Sequence, residues 1–152
     1  MSYTYEFPMT STTATMALFY KNKVLLGLRG RTSTFANYWS LPGGFLEVGK
    51  ENVKTTAIRE TFEETKMVIT TDQLNLFYVS SDPNTDPRAH VTNICYFIDV
   101  TEEQYNMAVA GDDLADLDWV DADEATGYAL AFDHNTILLE AIAFRKRFGF
   151  TK

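Results

Sequence analysis

The chain is short of cysteine, histidine, proline and positive charge. Its 152 residues include one cysteine, Cys95, with two histidines and four prolines. A lone thiol forms no intrachain disulfide, and Cys95 lies in an apolar run, so it reads as a small core residue in a protein of the reducing cytoplasm. Thirteen Lys and Arg against 21 Asp and Glu leave a formal charge of −8. That balance argues against binding nucleic acid through a broad basic surface, which needs clustered cations. No segment approaches the ~20 consecutive apolar residues that cross a bilayer. The first residues, MSYTYEFPMTSTT, lack a basic segment followed by an apolar run, so no membrane partner and no secretory signal are expected.

Apolar residues are plentiful: 45% of the chain is hydrophobic and 14% aromatic. A chain of this size makes one ordinary domain and buries roughly two thirds of its unfolded surface. Residues 1–11 read as an N-terminal arm and residues 12–150 as the domain. The arm and its aromatics leave a homodimer open.

The most informative stretch runs from Leu41 to Lys66, LPGGFLEVGKENVKTTAIRETFEETK. On a helix, residues three and four apart share a side, so Glu60, Glu63 and Glu64 present three carboxylates together. Ala57, Ile58, Thr61 and Phe62 form the adjoining stripe, able to pack on a sheet. Like-charged neighbours cost a few tenths of a kcal/mol per pair, a cost that a hard cation such as Mg²⁺ or Mn²⁺ reverses. A solvated acidic face is the plain alternative. Upstream, Pro42-Gly43-Gly44 lets backbone approach a ligand with no Cβ in the way, and Asn52 is an N-cap candidate.

These residues resemble the signature of the Nudix (MutT-like) hydrolase family: Gly, five residues, Glu, seven residues, then Arg-Glu-U-x-Glu-Glu-x-Gly-U, where U is aliphatic. Gly44, Glu51, Arg59, Glu60, Glu63 and Glu64 supply the polar skeleton. Three departures stand out: six residues separate Gly44 from Glu51, Thr61 replaces an aliphatic, and Lys66 replaces the last glycine. The extra residue should bulge the loop at Gly49-Lys50, and Lys66 implies a helix end without the left-handed glycine cap.

Along the chain, residues 12–20 and 23–28 read as a hairpin about Lys21-Asn22, and residues 30–38 as a loop. Residues 67–70, 74–80, 90–100 and 117–120 are strand-like; residues 81–89 are a loop and residues 101–118 turn-prone. Asp133 is a candidate N-cap for a final helix, where Ile137, Leu138, Ala141, Ile142 and Arg145 keep helical spacing. Trp39 reads as core and His90 as a hydrogen-bonded structural residue. Strands, a helix, more strands and a last helix predict a mixed β-sheet between helices, in agreement with the single-domain α/β/α sandwich that the resemblance implies.

The resemblance further implies hydrolysis of a nucleoside diphosphate linked to another moiety. Glu60, Glu63 and Glu64, with the carbonyl of Gly44, would be the metal ligands for Mg²⁺ or Mn²⁺; Arg59 and Glu51 would hold the carboxylates in place. The general base falls among Asp112, Asp113 and Asp116, with Asp113 preferred. Asp86-Pro87-Arg88 and Leu130-Ala131-Phe132-Asp133-His134 resemble the ADP-ribose pyrophosphatase branch, with Gly43, Gly44, Arg29 and Arg88 as substrate contacts. From composition alone Arg29 and Arg31 are equally readable as ordinary surface charges. Three readings stay open: an ADP-ribose or dinucleotide pyrophosphatase, a sanitising hydrolase of nucleoside triphosphates or nucleotide sugars, and a module that senses a nucleotide without cleaving it.

Overall fold

Strand β1 (Ser11–Tyr20) is buried from Thr13 to Phe19 and forms the axis of the protein. Its alternating side chains feed two cores. Ala17 and Phe19 join one cluster with Val24, Leu26, Cys95 and Phe97, while Ala14, Met16 and Leu18 join the other with Leu25, Tyr96 and Ile98. A strand buried on both faces needs cover on both. In this computed structural model, which describes residues 2–111 and 113–148, helices supply it.

β1 turns at Lys21, whose φ of 55° is left-handed, into β2 (Lys23–Arg29). Two short strands follow, β3 (Trp39–Ser40) and β4 (Gly43–Phe45), then helix α1 (Val53–Thr65). β5 (Asn75–Ser80), β6 (Val91–Asp99), helix α2 (Glu102–Met107), β7 (Leu114–Asp121), helix α3 (Ala122–Ala125) and helix α4 (His134–Arg147) complete the chain. The seven-stranded sheet runs β3-β2-β1-β6-β5, with β4 on β1 and β7 on β2. β1 and β6 are parallel over nine residue pairs and the other pairings are antiparallel, so the sheet is mixed as expected. α1 covers one face through Ala57; α4 covers the other through Ile137, Leu138 and Ala141. The architecture is the α/β/α sandwich.

The hairpin, the loops over 30–38 and 81–89, buried Cys95 and the final helix are where the sequence places them. Trp39 packs against the first core, and His90 Nε2 lies 2.7 Å from the Ser81 carbonyl. Other expectations need correction. Residues 67–70 form no strand; Met67 and Ile69 are buried, but the Val68 carbonyl accepts from Gln104 Nε2 rather than from a strand, and a 3-10 turn (Thr71–Gln73) follows. The region 101–118 is more ordered than its composition suggests. The Thr101 hydroxyl accepts from Gln104 N and the Gln104 side chain accepts from Thr101 N, a capping box that starts α2. β7 begins at Leu114 because it pairs along the whole of β2. Phe62 is exposed, so of the expected stripe Ala57 and Thr61 are buried and Ile58 packs against the second core.

The N-terminal segment, residues 2–10, has no regular structure and exposes Tyr3, Tyr5, Phe7 and Met9. No helix among the described residues is long and apolar enough to cross a membrane.

Candidate active site

The acidic helix starts as its sequence demands. Asn52 Oδ1 accepts from Thr55 N at 2.9 Å, the N-cap bond that satisfies an otherwise orphaned amide. Before it, the extra loop residue is absorbed by a turn in which Lys50 N donates to the Glu47 carbonyl and Gly49 takes φ 80°. The far end differs from expectation: Lys66 itself is left-handed, φ 64°, and its N–H donates to the Phe62 carbonyl at 2.8 Å. The cap geometry survives without glycine.

That turn points Glu51 back along the helix at Arg59. Glu51 Oε1 accepts from Arg59 Nε at 2.9 Å, and Oε2 from Arg59 Nη2 at 2.8 Å, from Thr56 Oγ1 at 2.6 Å and from Glu47 N at 3.0 Å. The Arg59 hydrogen bonds, offset in part by burial and reinforced by Thr56, lower the Glu51 pKa to about 2. The same bonds raise that of Arg59. The remaining Arg59 donors reach the Phe45 carbonyl at 3.1 Å, Glu60 at 3.1 Å and Glu63 at 3.3 Å. Arg59 therefore ties the loop before α1 to two of its three acids. Thr56 belongs to this network, and nothing in the sequence singled it out.

Glu60 and Glu64 lie together. Burial, with Arg59 opposing and Glu63 adding to it, raises the Glu60 pKa; burial and then Glu60 raise that of Glu64 further. Glu64 Oε1 accepts from Gly43 N at 3.3 Å. Glu60 leans on Gly44 so closely that a Cβ built there would sit 2.3 Å from the carboxyl carbon. Close approach requires glycine one residue earlier, where a Cβ at Gly43 would fall 2.2 Å from the Ala14 carbonyl oxygen. Glu63 is mostly exposed and turned to Arg59. Among the described residues no three acidic, His or Cys side chains are gathered tightly enough to enclose an ion.

Gly43, Gly44 and Glu64 open onto a cavity of about 540 Å³ that is also lined by Arg29, Arg88 and Asp113. Arg29 Nε donates to the Thr34 carbonyl at 2.5 Å, and burial together with the neighbouring Arg88 pulls its guanidinium below the ordinary value. Arg88 is held by Asp86 through Nη2 at 2.8 Å, Nε at 3.0 Å and its backbone N at 2.9 Å. Both guanidiniums lie over the Phe132 ring, 4.9 and 5.4 Å from its centroid, and Arg88 also lies 4.8 Å from that of Phe45. Arg31 is exposed and does not line the cavity. Of the candidate bases, Asp113 lines it, Asp116 does not and instead accepts from Leu117 N, and Asp112 lies outside the described residues.

The LAFDH stretch performs a task its residue types did not announce. His134 is buried, and its Nδ1 accepts from Leu41 N at 2.9 Å, fixing the strand that enters the glycine pair. Burial, with a smaller push from Arg29, lowers its pKa to about 3, so the ring is neutral. Asp133 holds the N-cap position of α4 but makes no capping bond; its carboxylate accepts from Ser80 Oγ instead. Leu130 bridges Trp39, and Ala131 N donates to the Trp39 carbonyl at 2.8 Å.

The family model described as the NUDIX domain matches residues 10–141. The chain belongs to the Nudix family. Its Nudix domain is 34% identical over 124 residues to an ADP-ribose pyrophosphatase of Methanocaldococcus jannaschii, covering 82% of this chain and 68% of that protein. It is 28% identical over 144 residues to the ADPR responsive transcriptional repressor NtrR of Acinetobacter baylyi, covering 91% of this chain and 55% of that one. Among solved structures, a MutT/nudix family protein from Enterococcus faecalis superposes with a TM-score of 0.82 at 29% identity, over 96% of this chain and 66% of that one. The Nudix domain thus spans only part of the length of each.

Proposed function

We propose that this protein is a pyrophosphohydrolase acting on a nucleoside diphosphate linked to another moiety, with ADP-ribose, cleaved to AMP and ribose 5-phosphate, as its substrate. The observation that carries this reading is that Glu64, from the acidic helix, opens onto the same cavity as the guanidiniums of Arg29 and Arg88. The archaeal ADP-ribose pyrophosphatase relative supports both the reaction type and the substrate.

Nudix hydrolases generally use divalent metals, and the donor types present here suit one. The donors are all oxygen, the choice of Mg²⁺ and Mn²⁺. Glu60 occupies the space a Cβ at Gly44 would fill, and crowding with Glu64 leaves both acids reluctant to ionise without a cation. Glu60, Glu63, Glu64 and the Gly44 carbonyl would hold the ion, which when bound neutralises diphosphate charge and lowers the pKa of a water. The chain's own groups do the rest. Arg59, locked by Glu51, orients Glu60 and Glu63. Gly43 N positions Glu64, while Arg29 and Arg88 grip phosphate oxygens in the cavity. Asp113 on the cavity wall accepts the proton of the attacking water. We place the protein in the cytoplasm, and the exposed side chains of its arm give a second copy of the chain a surface to pair with.

The test is hydrolysis of ADP-ribose, nucleotide sugars and nucleoside triphosphates with Mg²⁺ and then Mn²⁺, resolving products by ion exchange. AMP and ribose 5-phosphate, lost in Glu64→Gln, are expected. Equal turnover by Glu64→Gln at saturating metal removes the acidic helix from the mechanism. The likeness to a repressor favours one competing reading, a sensor that binds without cleaving; calorimetric binding without turnover would select it.

A further inference from the structure

The floor of the cavity is polar in a way the reaction does not call for. On adjacent parallel strands, Thr13 of β1 stands opposite Asn93 of β6, and Thr15 lies two residues along. All three are more than nine-tenths buried, and all three line the cavity. Thr15 Oγ1 donates to Asn93 Oδ1 at 2.9 Å. In this arrangement the amide oxygen is engaged by Thr15, and Asn93 Nδ2 remains as a donor. Among the described residues Asn93 Nδ2 and the Thr13 hydroxyl make no hydrogen bond within the protein, and neither is sealed off from the cavity that both residues line. Groups of this kind are satisfied by a ligand that carries several hydroxyls.

The walls point the same way. A purine binds most readily between free aromatic faces, and the ring-bearing residues of this cavity do not offer them. Phe132 has Arg29 and Arg88 over its ring and Phe35 at 4.8 Å with a 63° interplanar angle; Phe45 has Arg88 over it. His134 is buried against Leu41. The cavity therefore combines two cations with a hydroxyl and amide floor.

We propose that this cavity is a sugar-phosphate subsite, in which Arg29 and Arg88 take the phosphate and Asn93, held by Thr15, reads the sugar hydroxyls with Thr13. Asn93 is then the specificity-determining residue, and the nucleoside base lies outside the cavity. The inference rests on the pyrophosphohydrolase reading for its placement of substrate, but its test does not use turnover. A sugar hydroxyl can accept from Asn93 Nδ2 and donate to Thr13 Oγ1, and a second hydroxyl of the same sugar can accept from Thr13 in turn.

Calorimetry with ribose 5-phosphate, inorganic phosphate and adenosine separates the possibilities. Ribose 5-phosphate should bind about tenfold or more tightly than inorganic phosphate, the equivalent of one well-placed hydrogen bond. Asn93→Leu, close in shape but without a donor, should bring the two affinities together while leaving that for inorganic phosphate in place through Arg29 and Arg88. Retained phosphate binding shows that the variant still has its cavity, and Asn93→Ala repeats the measurement should the leucine not be accommodated. With the unaltered protein, adenosine should fail to displace ribose 5-phosphate. Displacement by adenosine, or an unchanged affinity ratio in both variants, overturns the proposal. A protein that binds ribose 5-phosphate in this way yet leaves ADP-ribose uncleaved refutes the hydrolase reading and supports the subsite.

Discussion

Replacing His134 by asparagine tests whether a neutral buried imidazole joins the glycine strand to the last helix. In the folded protein its pKa is near 3, against 6.5 for an exposed histidine. The folded state therefore resists a proton that the unfolded chain accepts, so stability is complete above pH 6.5 and is lost as the pH falls towards 3. Each unit within that window removes about 1.4 kcal/mol, so descent from pH 7 to pH 5 costs about 2 kcal/mol from this residue alone. Glu60 and Glu64, with raised pKa values, work in the opposite direction, since acid relieves their crowding. For that reason the informative quantity is a difference between two proteins. Asparagine keeps an acceptor near the Nδ1 position, within reach of Leu41 N, and does not titrate. Urea unfolding at pH 7 and pH 5 should show His134→Asn losing about 2 kcal/mol less than the parent over that interval, although less stable at pH 7 because it leaves a small void. Equal losses in the two proteins would mean that His134 is protonated in the fold, and the bond from Leu41 N to its ring would have to be abandoned.

Three further substitutions address the acidic helix. Thr61 Oγ1 is buried without a hydrogen-bond partner among the described residues, so Thr61→Val should raise stability by about 1 kcal/mol; a destabilised variant by thermal melting would indicate a hidden partner. Lys66→Gly should stabilise by about 0.5–1 kcal/mol, because glycine takes φ 64° without the steric cost that a lysine bears; a lower midpoint in urea would contradict the left-handed cap. Glu51→Gln, which removes the anchor of Arg59 and, on the proposed assignment, no metal ligand, should reduce turnover on the order of 10 to 100-fold. A loss larger than that of Glu64→Gln in the same assay would reverse the roles given to the two glutamates.

Much of the site was legible because its chemistry is local in the chain. Glu51, Arg59 and Glu60 lie within ten residues, and helical spacing alone brings the acids together; the capping residue Asn52 and the close approach at Gly43 also follow from residue type. What could not be read depends on residues far apart. Thr15 and Asn93 meet because β1 and β6 run parallel, across 78 positions of sequence. His134 reaches Leu41 across 93. The missed α2 is a different case, since Thr101 and Gln104 stood at capping-box spacing and an acidic, turn-prone reading of the whole segment obscured them. Residues 67–70 show the converse: alternating burial imitates a strand wherever an extended segment lies over a core, and only a partner makes it one.

Val109 N donates to the Thr65 carbonyl and Gly111 N to the Glu64 carbonyl, each between 2.8 and 2.9 Å, and a Cβ at Gly111 would fall 1.9 Å from the Glu63 carbonyl. Connections between secondary elements are normally where a family tolerates insertions and drift. Here the connection from α2 to β7 is fastened by its backbone to the last turn of the acidic helix, and Asp113 follows two residues later. Its length is thus coupled to the position of Glu64: a residue added between Gly111 and Leu114 shifts Asp113 relative to the carboxylates, and one added before Val109 strains the helix end itself. Variation in this protein's relatives should accordingly be concentrated in the 30–38 and 81–89 loops, while the span from Ala108 to Leu114 keeps its length even where its side chains change.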